Sequence, residues 1–129
     1  MHSPRRIAIA DDSPTFVEAA ASYIEALPGY VLAGTASVGG EALALVESAM
    51  PDVLLLDLGA APVRGLALLR RVRSVPGAPA VIAMTLFHTA EAAAAAVEAG
   101  AAGLVGKDGF VAGLTQILSR LFPADVAPA

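Results

Sequence analysis

The segment PDVLLLDLGAAPVRG, residues 51–65, decides how the chain folds. Val53 to Leu56 run without a polar interruption and end on Asp57. A strand with one wet face alternates apolar and polar residues. An unbroken apolar run bounded by turn residues is the mark of a strand covered on both faces, as in a parallel sheet flanked by helices. Pro51 opens the run, and the charge of Asp57 marks where it leaves the core.

The same unit recurs on either side. RIAIA (6–10) is a short apolar strand, and Ser13-Pro14 starts a helix, with serine as cap and proline in the first turn. Phe16, Ala20, Tyr23, Ile24 and Leu27 follow at helical spacing, and Pro28-Gly29 ends that helix. YVLAGTA (30–36) reads as a strand and Glu41 to Met50 as a helix. After VLLLD (53–57), Leu66, Leu69 and Val72 mark a third helix, stopped by Pro76-Gly77. AVIAMT (80–85) is a fourth strand. Residues 90–99 are helical by alanine propensity alone, AGLVGK (102–107) is a fifth strand, and Val111, Leu114, Leu118 and Leu121 mark a last helix. Five strand–helix units of this kind predict a doubly wound α/β domain around a five-stranded parallel sheet. The expected domain is 1–122, with 123–129 as a tail or the start of a linker.

Composition narrows the function. The 129 residues suit one domain, 57% of them are hydrophobic and only 16% charged, which excludes a disordered chain. The formal net charge is −4, so direct nucleic-acid binding by this segment is not expected. There are no cysteines, which removes thiolate chemistry and disulfides. No apolar run approaches the roughly 18–20 residues that span a bilayer, and MHSPRRIAIADD does not read as a signal peptide; no membrane association and a cytoplasmic location are expected.

In doubly wound sheets the ligand crevice lies beyond the carboxyl ends of the strands. Those ends carry Asp11-Asp12, Asp57, Thr85 and Lys107. Like charges ~4 Å apart at an effective dielectric near 20 repel by about 4 kcal/mol. Three converging acids therefore call for a cation, and a hard divalent ion, Mg²⁺ or Mn²⁺, suits oxygen ligands. A carboxylate beside such an ion, with a lysine and a hydroxyl at hand, is a phosphoryl acceptor. Other motifs fail. GAAGLVGKD (100–108) lacks P-loop spacing, His2 and His88 form no ligand pattern, and no Gly-x-Ser-x-Gly occurs.

IAIADDSP (7–14), PDVLLLDL (51–58), Gly65, VIAMT (81–85) and EAGAAGLVGKD (98–108), with their spacings, resemble the receiver domain of two-component response regulators over residues 5–122. The resemblance implies a flavodoxin-like (βα)₅ fold and phosphorylation of Asp57 by a sensor histidine kinase or a small phosphodonor. It implies that Asp12, Asp57 and the Gly59 carbonyl bind Mg²⁺ directly, with Asp11 acting mostly through water. Thr85 and Lys107 would contact the phosphoryl group. Lys107-Asp108 is similar to the LuxR-type subgroup, whose transcriptional output domain is not legible in this chain. The implied partner is the kinase, and the face of helix four, strand five and helix five, with its small alanine-rich helix, could pack against a twin or another partner.

Three departures from the pattern stand out. Ala60-Ala61 replace the usual Met-Pro, with proline one place later at Pro62. Leu86 follows Thr85 where a small residue is usual, and Leu104 replaces the switch aromatic. Gly59 and Phe87 fill the places that tune hydrolysis, and Phe87 cannot orient a water. These departures motivate a second reading, a degenerate receiver that binds partners without phosphate. A third, a Mg²⁺-dependent phosphohydrolase of the haloacid-dehalogenase kind, wants an acid at position 59, where glycine stands.

Overall fold

The computed structural model describes residues 3–37 and 40–123. Five strands form one sheet: β1 (Arg5–Ala10), β2 (Tyr30–Ala36), β3 (Val53–Asp57), β4 (Ala80–Thr85) and β5 (Gly103–Gly106). Five helices alternate with them: α1 (Pro14–Ala26), α2 (Gly40–Ala49), α3 (Pro62–Arg73), α4 (Ala90–Glu98) and α5 (Phe110–Leu121). The strand order is β2-β1-β3-β4-β5, and every neighbouring pair is parallel. This is the doubly wound architecture that the apolar runs predict, in the flavodoxin-like (βα)₅ form that the resemblance implies.

Strand alternation divides the core in two. Ala8, Ala10, Leu54, Leu56, Val81, Ala83 and Leu104 pack with α2, α3 and α4. Ile7, Ile9, Val53, Leu55, Ile82, Met84 and Val105 pack with α1 and α5. Leu54, Leu55 and Leu56 are fully buried, on opposite faces in turn. Burying each such side chain contributes roughly 1.5–3 kcal/mol, which is why β3 holds the centre.

Some boundaries move, each for a local reason. β5 stops at Gly106, and Lys107 opens a single 3-10 turn over Lys107–Gly109 that leads into α5. α3 starts at Pro62, ahead of the Leu66 periodicity, because proline at the first helical position is already set at helical φ. Its cap residue, Ala61, has no side chain to accept a hydrogen bond. α2 ends at Ala49 rather than Met50, which takes a left-handed φ of 46°. The Arg6 guanidinium donates to the carbonyls of Ala49 and Met50 there. α4 has a cap that the alanine run hides: Thr89 accepts from the Ala92 N–H at 3.0 Å. His2 and the expected tail from Ala124 onward lie outside the described residues.

Gly65 fixes how closely α3 approaches β3. A Cβ added there would lie 2.5 Å from the Leu58 carbonyl oxygen and 2.8 Å from its Cα. The backbone beside Asp57 is thus the floor on which α3 rests. Gly65→Ala should lower stability by about 1–3 kcal/mol through this overlap. A urea midpoint equal to the wild type would show that the loop yields instead.

Candidate functional site

The chain leaves β1 toward β2 on one side, and β3 pairs with β1 on the other. The loops after β1 and β3 therefore part, opening a crevice at the carboxyl ends of these two strands. Asp11 and Asp12 follow β1, and Asp57 ends β3. A cleft of about 600 Å³ forms there, lined by Asp11, Asp12, Asp57, Gly59, Thr85, Leu86, Phe87 and Lys107. Eight of the nine residues singled out in the sequence thus share one cavity. Leu104 is the exception: it is buried against Ala83, Ala96, Ala99 and Ala101 beneath α4.

Lys107 dominates the electrostatics. Its Nζ lies 2.7 Å from Asp11 Oδ2 and 3.6 Å from Asp57 Oδ1. The Asp11 side chain is fully buried, while those of Lys107 and Asp57 are 11% and 13% exposed. Asp11 Oδ1 accepts the Ser13 N–H at 2.8 Å, and Asp57 Oδ1 accepts the Gly59 N–H at 3.2 Å. The second of these needs φ of +72° at Gly59, a conformation natural to glycine. Asp12 is exposed on the rim. Thr85 Oγ1 accepts the Phe87 N–H at 3.3 Å, so its own proton is the part left to donate. Leu86 and Phe87 stand 64% and 81% exposed at the mouth.

Two observations fit a divalent cation. Asp11 Oδ2 is buried and pairs with the Lys107 ammonium at 2.7 Å, with no hydrogen bond from another donor among the described residues. The donors at hand, carboxylates and the Gly59 carbonyl, are all oxygen. The expected cluster of three acids is not drawn together, however. Among the described residues no group of three or more His, Asp or Glu side chains is poised around a metal ion. Lys107 stands between Asp11 and Asp57, so a cation here would complete its shell with water.

A protein-family model for the response regulator receiver domain matches residues 7–119. The chain belongs to this family. The receiver is 33% identical over 110 residues to a protein-glutamate methylesterase/protein-glutamine glutaminase of Rhizobium etli, covering 84% of this chain and 32% of that protein. It superposes with a TM-score of 0.80 on a LuxR-family two-component response regulator from Aurantimonas sp., at 33% identity, covering 92% of this chain and 85% of that one. It superposes at 0.74 on a structure of the CheA3 P1 domain in complex with CheY6 from R. sphaeroides, at 26% identity, covering 92% and 99%. The receiver thus spans about a third of the methylesterase's length. Among its described residues no helix is long and apolar enough to cross a membrane.

Burial raises the pKa of Asp57 above the ordinary 3.8, and the negative charge of Asp11 raises it further. The Gly59 N–H and the Lys107 ammonium act the other way without cancelling the rise. A carboxyl that holds its proton more tightly when folded lends stability at low pH and loses it as pH climbs from 3.8 through the raised value. Asp57→Asn should therefore be more stable than wild type at pH 7. The difference should close below pH 4, as read by denaturant titrations across that range.

Two neighbours of the cleft escaped the sequence reading. Phe16, taken as a core-facing helix position, also faces Lys107. Ala92 of α4 lines the cleft wall. Neither residue type carries a signal for such a place.

Proposed function

We propose that this receiver accepts a phosphoryl group on Asp57 in a Mg²⁺-dependent reaction and passes the change to a partner. The carrying observation is the largely covered Lys107 ammonium set between Asp11 and Asp57, with Thr85 opening on the same cleft. An Asp57 carboxylate oxygen attacks phosphorus, a P–O bond forms, and the donor's bond to phosphorus breaks with its electron pair. The ammonium, 3.6 Å away, balances charge on the transferred oxygens, and the Thr85 hydroxyl donates to one of them. Asp12, Asp57 and the Gly59 carbonyl would hold the cation, with Asp11 acting mostly through water, and the bound ion would supply further neutralisation. Gly59 and Phe87 offer no side chain that could orient a water, so the adduct is lost slowly.

The donor is a sensor histidine kinase, its phosphotransfer domain or a small phosphodonor, in the cytoplasm. The receiver has no enzymatic activity beyond its own phosphorylation and dephosphorylation, and its output is transcriptional. The domain extends over 1–122. Its second partner is a twin across α4, β5 and α5, where α4 and α5 carry the exposed Val97 and Val111. Val97→Glu should lower the dimer fraction of the phosphorylated protein in light scattering without changing phosphorylation.

Incubation with Mg²⁺ and acetyl phosphate should add one phosphoryl group by intact mass, absent in Asp57→Asn and reduced at least tenfold in rate in Lys107→Met. A second reading, binding without phosphate, draws on the exposed Leu86 and Phe87 at the mouth. It predicts no adduct and unchanged partner capture by Asp57→Asn.

A further inference from the structure

The chain contains a single lysine, Lys107. Its ammonium is held by two carboxylates, Asp11 at 2.7 Å and Asp57 at 3.6 Å, and by one group that is not an acid. That group is the face of Phe16, whose ring centroid lies 4.5 Å from Nζ. The lysine side chain is 11% exposed, so this contact is largely desolvated, the condition under which a cation over an aromatic face is strongest.

The contact closes a ring of interactions. Asp11 Oδ1 accepts the Ser13 N–H at 2.8 Å, and Ser13 Oγ accepts the Phe16 N–H at 3.3 Å. Phe16 presents its face to Lys107, and Lys107 returns to Asp11 Oδ2 at 2.7 Å. The Phe16 ring is itself braced. It meets Phe110 at 5.1 Å with planes 82° apart, and Phe110 packs edge-on against Tyr23 at 6.2 Å. Tyr23 in turn shares a 2.7 Å hydrogen bond with Thr115 of α5. Phe110 begins α5, immediately after the turn that carries Lys107. The cap of α1 and the first residue of α5 thus both hold Phe16.

We propose that Phe16 is a positioning residue for Lys107, holding the ammonium over the cleft when a divalent cation engages Asp11. This rests on the phosphoacceptor reading of the site. A cation in the cleft competes with Lys107 for both carboxylates, Asp11 at 2.7 Å and Asp57 at 3.6 Å, and without an anchor that is not a metal ligand the ammonium could swing out of the cleft. The aromatic face attracts a cation yet offers no oxygen to the metal, so it keeps Lys107 without competing for the ion. Held there, the lysine stays within reach of Asp57, 3.6 Å off.

The test compares Phe16→Leu, which keeps apolar volume but has no π face, with Phe16→Tyr, which keeps both. With ¹³Cε-labelled lysine the chain gives one side-chain signal. In saturating Mg²⁺ the wild type and Phe16→Tyr should show an ordered, ring-shifted Lys107 Cε group, and Phe16→Leu a mobile one near the random-coil shift. Phosphorylation by acetyl phosphate should slow about three- to tenfold in Phe16→Leu and stay within about twofold in Phe16→Tyr. An ordered Lys107 in Phe16→Leu would overturn the proposal. So would equal slowing in both variants, which would mark a packing role. If the wild type takes no phosphoryl group, the proposed function fails and the lysine signal alone judges Phe16. Phe16→Met, read in the same way, serves should Phe16→Leu not fold.

Discussion

A parallel sheet brings the carboxyl ends of its strands to one edge, and in this chain two of those ends carry acids that burial would drive apart. The Lys107 ammonium makes the arrangement tolerable. It sits on the fully buried Asp11 and within 3.6 Å of Asp57. An unpaired charge in such a place costs several kcal/mol, enough to threaten a small domain's whole stability. The compensation is incomplete, since Asp57 still holds its proton more tightly than a free aspartate. The site rests with an excess of negative charge and a buried oxygen, Asp11 Oδ2, that only the Lys107 ammonium partners among the described residues. Both features attract a further cation.

Geometry around that pair is set by small residues and turns. Gly59 turns the chain so that its N–H meets Asp57, and Gly65 brings α3 down onto Leu58. Asp57 is thereby gripped between the sheet and a helix start. Pro62 at the first position of α3 supplies stiffness that Ala60 and Ala61 lack.

Most of the fold was legible because its signals are local. The run from Val53 to Leu56, bounded by turn residues, read as a strand buried on both faces, and Ser13-Pro14 named the start of α1. Strand-end residues then had to meet, since parallel strands share one edge; this placed Asp11, Asp12, Asp57, Thr85 and Lys107 together without coordinates. What stayed hidden depends on distances between elements. The sequence shows that acids gather at one edge. It does not show that Lys107 would stand between Asp11 and Asp57 and keep three acids from closing on one point. Nor could the helical spacing of Phe16 reveal a cationic neighbour ninety-one positions away. The Thr89 cap was masked by an alanine run that looked helical from end to end.

That alanine run has a mechanical consequence. α4 meets the sheet through Ala92, Ala93 and Ala96, with Ala99 following, above Leu104. Methyl groups present a shallow corrugation, with no long side chain interlocked in a neighbour's groove. Sliding such a helix along its bed forfeits little contact at any point of the path. α4 is therefore seated on something close to a bearing surface, while α3, notched onto Leu58 at Gly65, is keyed in place. Of the two helices that wall the cleft, one is free to glide and the other is latched.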